Sequence, residues 1–266
     1  MRNRFILTPY FLDQHLPGLI PLVDRDWLLN DRPLPEGSQQ IRMAAIYERL
    51  AEIVGTAMKS GERPVSIAGD CCTSIGMLAG LQQADISPSL IWFDAHGDFN
   101  TWETTPSGFL GGMPLAMLVG RGEQTIMERA GTKVLPENQV ILSDARDLDP
   151  GEQEILADSQ VTHLLAVQEF FDHPLPGGTV WVHFDTDLID SRQAPAMNYP
   201  VPGGPSLEDL HSLFRFLAGT GQVVGVSFSS WNPDLDRDGQ TSRVCMDLLM
   251  ELVQDKSGDP TASSDS

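Results

Sequence analysis

Positive charge is what this chain has least of: 17 Lys and Arg stand against 37 Asp and Glu, a formal charge of −20. No segment gathers a basic stripe, so nucleic acid and anionic membrane surfaces are excluded as expected partners. Long apolar runs are missing as well. None approaches the roughly 20 residues of a spanning helix. The stretch from Met1 to Pro9 is too short in apolar length for a secretory signal. Cysteine is rare, three in 266 residues, and Cys71 and Cys72 are adjacent. An odd count with neighbours that pair poorly does not read as a disulfide framework. A cytoplasmic location is the expectation.

What is present is a chain long enough for a full-sized core, with one α/β domain over residues 1–253 as the simplest organisation. Short apolar runs at Val65–Ala68, Leu90–Phe93, Val140–Leu142, His163–Ala166, Val180–Phe184 and Val223–Phe228 predict buried strands. A helical stripe runs through Ile46, Leu50, Ile53, Val54 and Met58, and further helices are predicted near 73–83, 150–157, 206–218 and 241–253. Ser206 followed by Glu208 and Asp209 predicts an amino-terminal cap. Strands alternating with helices imply a three-layer α/β/α fold around a mainly parallel sheet. Gly-Pro-rich segments at 104–114 and 195–205 predict long loops, and the polar residues 254–266 predict a disordered tail.

Two of the strands end in metal-ligand chemistry. Ile91-Trp92-Phe93 runs into Asp94, His96 and Asp98 at alternate positions, and Val180-Trp181-Val182 runs into His183, Asp185 and Asp187 with the same spacing. Strand side chains alternate faces, so each trio begins on one side. In parallel α/β sheets, ligands bind beyond the carboxyl ends of the strands, where both trios fall. Carboxylates and imidazole suit a divalent cation such as Mn²⁺. Carboxylates crowded there without a cation would repel one another. His183 faces inward one pleat below Asp185, which suits a residue that supports the ligands, or a satisfied core histidine.

These motifs together resemble the ureohydrolase superfamily of arginases, agmatinases and formiminoglutamases. Asp94-Ala95-His96-Gly97-Asp98 is similar to the family's Asp-Ala-His-x-Asp, and Phe184-Asp185-Thr186-Asp187 with Asp190 to its Phe-Asp-x-Asp segment. Ala68-Gly69-Asp70-Cys71-Cys72 sits where the family has Gly-Gly-Asp-His, and Arg146-Asp147-Leu148-Asp149 resembles a segment beside the substrate's amino group. The resemblance implies an arginase-like fold holding two Mn²⁺ ions bridged by hydroxide. Asp94 and Asp185 would bridge both ions, His96 and Asp187 would serve one, and Asp98 the other. The bridging hydroxide would attack an amidine carbon, with Asp98 passing a proton to the leaving amine. Asp98 and His183 are thus the catalytic candidates. A homo-oligomer is implied too.

The departures from the family pattern bear on substrate and metal. Cys71 occupies the position of the first metal-binding histidine, and a thiolate matches Mn²⁺ poorly. One site is therefore expected to be weak or to prefer an ion such as Zn²⁺. Gly111 replaces a histidine that contacts substrate, Ser230 replaces a glutamate that holds the guanidinium, and Tyr199 stands in place of a threonine. Asn100, Ser107 and Asp149 match residues that contact an amino-acid head group. The cysteine and the wording from His96 to Met113 resemble the Nω-hydroxy-arginine hydrolase branch, although that branch keeps the glutamate. The expected function is hydrolysis of a guanidino or hydroxyguanidino amino acid. Hydrolysis of a formimino or amide group on the same metals, or a catalytically silent relative, are the alternatives.

Overall fold

A computed structural model describes residues 1–254. The predicted tail lies outside the described residues except for Gln254. Ten strands form, in chain order β1 (Arg2–Thr8), β2 (Tyr10–Phe11), β3 (Gln14–His15), β4 (Leu28–Leu29), β5 (Glu62–Ala68), β6 (Ser89–His96), β7 (Val140–Asp147), β8 (Thr162–Leu164), β9 (Val180–Asp185) and β10 (Val223–Ser229). The helices are α1 (Gln39–Lys59), α2 (Ser74–Gln83), α3 (Pro114–Leu118), α4 (Thr125–Arg129), α5 (Pro150–Ala157), α6 (Leu207–Gly219) and α7 (Gln240–Leu252). Eight strands make one sheet in the order β4-β1-β5-β10-β9-β6-β7-β8, and each neighbouring pair is parallel. β2 and β3 form a small antiparallel hairpin.

Burial follows the pleat. Leu90 and Trp92 of β6 join the core beneath α1 and α2, whereas Ile91 and Phe93 join the opposite core beneath α6 and α7. The sheet is covered on both faces, the three-layer arrangement that unbroken apolar strands demand. The predicted stripe on α1 is seated: Ile46, Leu50, Ile53 and Val54 are buried. α2 approaches α1 closely at Gly80, where a Cβ would lie 2.4 Å from Val54 Cβ. Ser206 caps α6, its hydroxyl accepting from Asp209 N at 3.1 Å.

Strand order positions the site. The chain passes from β5 to β6 and leaves room for β10 and β9, which enter later and separate them. The loops leaving β5, β6, β9 and β10 therefore meet above the middle of the sheet at its carboxyl edge, where such folds bind ligands. β1 was not predicted, because Arg2, Asn3 and Arg4 break its apolar pattern, yet it pairs with β5 along its length. The strand predicted to reach Ala166 stops at Leu164 on the sheet edge, and the next residue, Leu165, is exposed.

Candidate metal centre

Two buried ligand groups converge at this edge. In the first, one ligand atom each from Cys71, Asp94, His183 and Asp185 fall within 4.8 Å of one another; Asp94, His96 and Asp187 form the second. Asp94 belongs to both. Cys71 begins a short 3₁₀ turn after β5, and Asp70 fixes that turn by accepting from Cys72 N at 2.9 Å and Leu12 N at 2.6 Å. The Cys71 thiol points at Asp185 Oδ2, 2.6 Å away, with Asp94 Oδ2 at 3.9 Å. His96 Nδ1 lies 3.0 Å from Asp187 Oδ2 and 3.5 Å from Asp94 Oδ1.

The backbone delivers these groups only partly by strand alternation. β6 ends at His96, and Asp98 follows with φ +50, a left-handed turn. Gly97 makes the turn possible, since a Cβ there would meet Leu148 at 2.5 Å and the Glu152 carboxylate at 2.7 Å. Glu152 holds the turn from outside, accepting from Phe99 N at 2.8 Å and Asp149 N at 3.1 Å. Asp187 likewise lies past the end of β9, in a 3₁₀ turn where its own N–H donates to Asp185 Oδ1 at 2.8 Å. Both residues reach the site by turns, where the sequence pattern implied a shared strand face. Asp98 lines the same cavity but stands outside both tight groups.

The charge balance of the cluster calls for cations. Burial, then the Asp187 charge, pushes Asp185 up to about 8. Burial, then Asp94, pushes Asp187 up to about 6. Asp98 is raised well above the carboxylate range by burial and by Asp94 and Asp185. Burial pulls His96 down, but the hydrogen bonds and charges of Asp187 and Asp94 prevail and push it up to about 12. Asp98 Oδ2 is buried without a hydrogen-bond partner among the described residues. A buried polar atom left unpaired is costly. Divalent cations would satisfy that oxygen and remove the mutual repulsion, so the donor set fits a binuclear metal centre.

The centre forms the floor of a cavity of about 430 Å³, whose walls include Asn100, Ser107, Asp149, Tyr199 and Ser230. Asn100 Nδ2 donates to Asp149 Oδ2 at 2.9 Å. The arginase family model matches residues 28–254. The chain belongs to the arginase family. An arginase from Bacillus subtilis strain 168 is 32% identical over 252 residues, covering 90% of this chain and 83% of its own. An arginase from Brevibacillus brevis is 34% identical over 223 residues, covering 79% and 74%. The crystal structure of a Bacillus subtilis arginase superposes with a TM-score of 0.81 at 28% identity, covering 97% of this chain and all of that one. As an arginase-family member the chain is a binuclear-metal hydrolase of non-peptide C–N bonds in linear amidines, in a family whose centre holds Mn²⁺.

Three positions read in the sequence as departures from the family pattern, Gly111, Tyr199 and Ser230, line the cavity. At Gly111, the space next to the backbone is filled by the Phe109 ring, which a Cβ would meet at 2.4 Å. Ser230, with φ +75, turns its hydroxyl onto Asp185 and offers no charge. The exposed Tyr199 ring packs at 5.4 Å from Phe109, which in turn stacks on Phe11 at 6.2 Å. Phe11 and Phe109 went unread in the sequence, because single aromatics in a two-residue strand and a loop carry no pattern. His183 is buried behind the cavity wall, its ring stacked on Trp92 at 3.7 Å.

Arg146 was read only as part of a motif. Its guanidinium pairs with Asp144 Oδ2 at 2.7 Å. It also donates to the carbonyls of Asp187 at 3.1 Å, Leu188 at 3.3 Å, Val201 at 3.0 Å and Pro202 at 3.2 Å. A planar fork suits such convergent acceptors. It ties a metal-bearing turn to the loop that carries Tyr199.

Proposed function

We propose that the chain hydrolyses a guanidino or hydroxyguanidino amino acid, with the reacting carbon over the metal centre and the head group toward Asn100, Ser107 and Asp149. The observation that carries this reading is the pair of ligand groups sharing Asp94 at the floor of the cavity. Bound Mn²⁺ ions would supply water activation and polarisation of the amidine. Cys71, Asp94, Asp98 and Asp185 would hold one ion, and Asp94, His96, Asp185 and Asp187 the other.

The residues around them set the substrate. Asp98 has a buried oxygen with no hydrogen-bond partner among the described residues, which suits a group that takes a proton and returns it to the leaving nitrogen. Asp149 caps α5 and accepts from Asn100, so both head-group candidates are held in place. Ser230 brings no negative charge to the amidine end, which favours a weakly basic, neutral amidine such as a hydroxyguanidine. Phe11, Phe109 and Tyr199 add an aromatic side to the cavity.

Metal-loaded protein incubated with arginine, Nω-hydroxy-arginine, agmatine, guanidinobutyrate and formiminoglutamate tests the reading. Release of urea or hydroxyurea is expected, with the hydroxylated substrate preferred over arginine and agmatine poor. Formamide from formiminoglutamate alone would instead assign formimino hydrolysis to the same metals. No turnover of any substrate would overturn the proposal.

A further inference from the structure

Cys71 stands where the family pattern has a histidine, yet the first ligand group still contains an imidazole. His183 provides it, from a strand and not from the turn after β5. Its Nδ1 lies 2.8 Å from Ser227 Oγ, an oxygen that also accepts from Trp181 Nε1 at 2.9 Å. Its Nε2 faces Ser229 Oγ at 3.4 Å, and that hydroxyl lies 3.1 Å from Cys71 Sγ and 3.3 Å from Asp185 Oδ2. The ring is held flat on Trp92 with an interplanar angle of 20°.

A ligating imidazole donates its other N–H to a fixed acceptor, which sets the tautomer and aims the lone pair. Ser227 Oγ is placed to be that acceptor, leaving the Nε2 lone pair toward the thiol and carboxylates. A histidine kept only for packing on Trp92 would not need a ring nitrogen within 4.8 Å of three other ligand atoms. We propose that His183 supplies the imidazole lost at position 71, joining Cys71, Asp94, Asp98 and Asp185 in a sulfur-nitrogen-oxygen site selective for a borderline ion such as Zn²⁺. The site built on Asp94, His96 and Asp187 offers oxygen and nitrogen alone and retains Mn²⁺. The inference rests on the metal-centre reading above and makes the two sites unequal. On binding, the Cys71 S–H bond breaks, the sulfur–metal bond forms and the proton leaves to solvent.

Metal-free full-length chain is loaded with Zn²⁺ and Mn²⁺ together under a competing chelator, and metal per chain is measured for wild type, His183→Gln and Cys71→Ser. The wild type is expected to hold one Zn²⁺ and one Mn²⁺. Both variants should bind Zn²⁺ about tenfold or more weakly while keeping Mn²⁺. Co²⁺ in the first site should give a near-ultraviolet sulfur-to-metal band that Cys71→Ser abolishes. Because His183 is buried, wild-type protein with ¹⁵N-labelled histidine and ¹¹³Cd supplies a test without a variant. Cadmium coupling to a His183 ring nitrogen is expected. Coupling to His96 alone, or unchanged Zn²⁺ affinity in folded His183→Gln, would overturn the inference while guanidino hydrolysis survives. Failure to bind any ion would overturn the metal-centre reading as well.

Discussion

Gly111 and Phe109 show how one small residue can be locked by its neighbour. The Phe109 ring fills the space that a side chain at 111 would need. Restoring the family's histidine by Gly111→His should therefore clash and lower substrate affinity, whereas Phe109→Ala with Gly111→His should recover it. Michaelis constants for the three proteins check this, and a Gly111→His protein as good as the double variant would contradict it. Asp98 carries a sharper expectation. Asp98→Asn keeps the shape but removes both a carboxylate ligand and the proton carrier, so at saturating metal kcat should fall by about 10²–10⁴-fold with KM little changed. Steady-state kinetics decide it, and a KM effect alone would assign Asp98 to binding.

At the scale of elements, the site depends on turns that strand periodicity does not encode. β5, β6, β9 and β10 were legible because unbroken apolar runs specify strands buried on both faces. Asp94 and Asp185 could be placed because they lie within those strands. Asp98 and Asp187 both line the cavity, but a left-handed residue and a 3₁₀ turn carry them there, where a shared strand face was read. The meeting of Phe11 and Phe109 with Tyr199 was invisible, because the three come from segments distant in sequence. Arg146 joins two such segments. Arg146→Ala should leave carbonyls in the Asp187 turn short of donors, costing about 1–3 kcal/mol of stability. Faster proteolysis within 195–205 should accompany it. Thermal denaturation and limited digestion test both, and an unchanged digestion pattern would show that the loop is held by other contacts.

For the whole molecule, the cluster makes stability depend on metal and pH together. Asp185 and Asp187, raised to about 8 and about 6 chiefly by burial, stay protonated in the fold at pH values where the unfolded chain has ionised them. Burial likewise raises Asp70 to about 6 and Glu152 to about 7. The native state then binds more protons than the unfolded one, so stability falls as pH rises. His96, raised to about 12 by its carboxylate partners, acts in the same direction above its ordinary value. Metal-free protein should thus lose Tm between about pH 5 and pH 8. Saturating metal should flatten that decline, since ions bind only the assembled site. Calorimetry with and without chelator measures it, and a metal-free Tm that climbs over this window would contradict the charge balance.

A cluster of buried carboxylates, an imidazole and a thiol at the end of a parallel sheet is most economically explained as a two-ion hydrolytic centre. The most direct test is the initial rate of urea or hydroxyurea release from arginine and Nω-hydroxy-arginine as metal is titrated into metal-free protein. The account predicts a rate that saturates at two ions per chain and vanishes with chelator. A chain filled with two ions that releases neither product, or a rate indifferent to chelator, would contradict it.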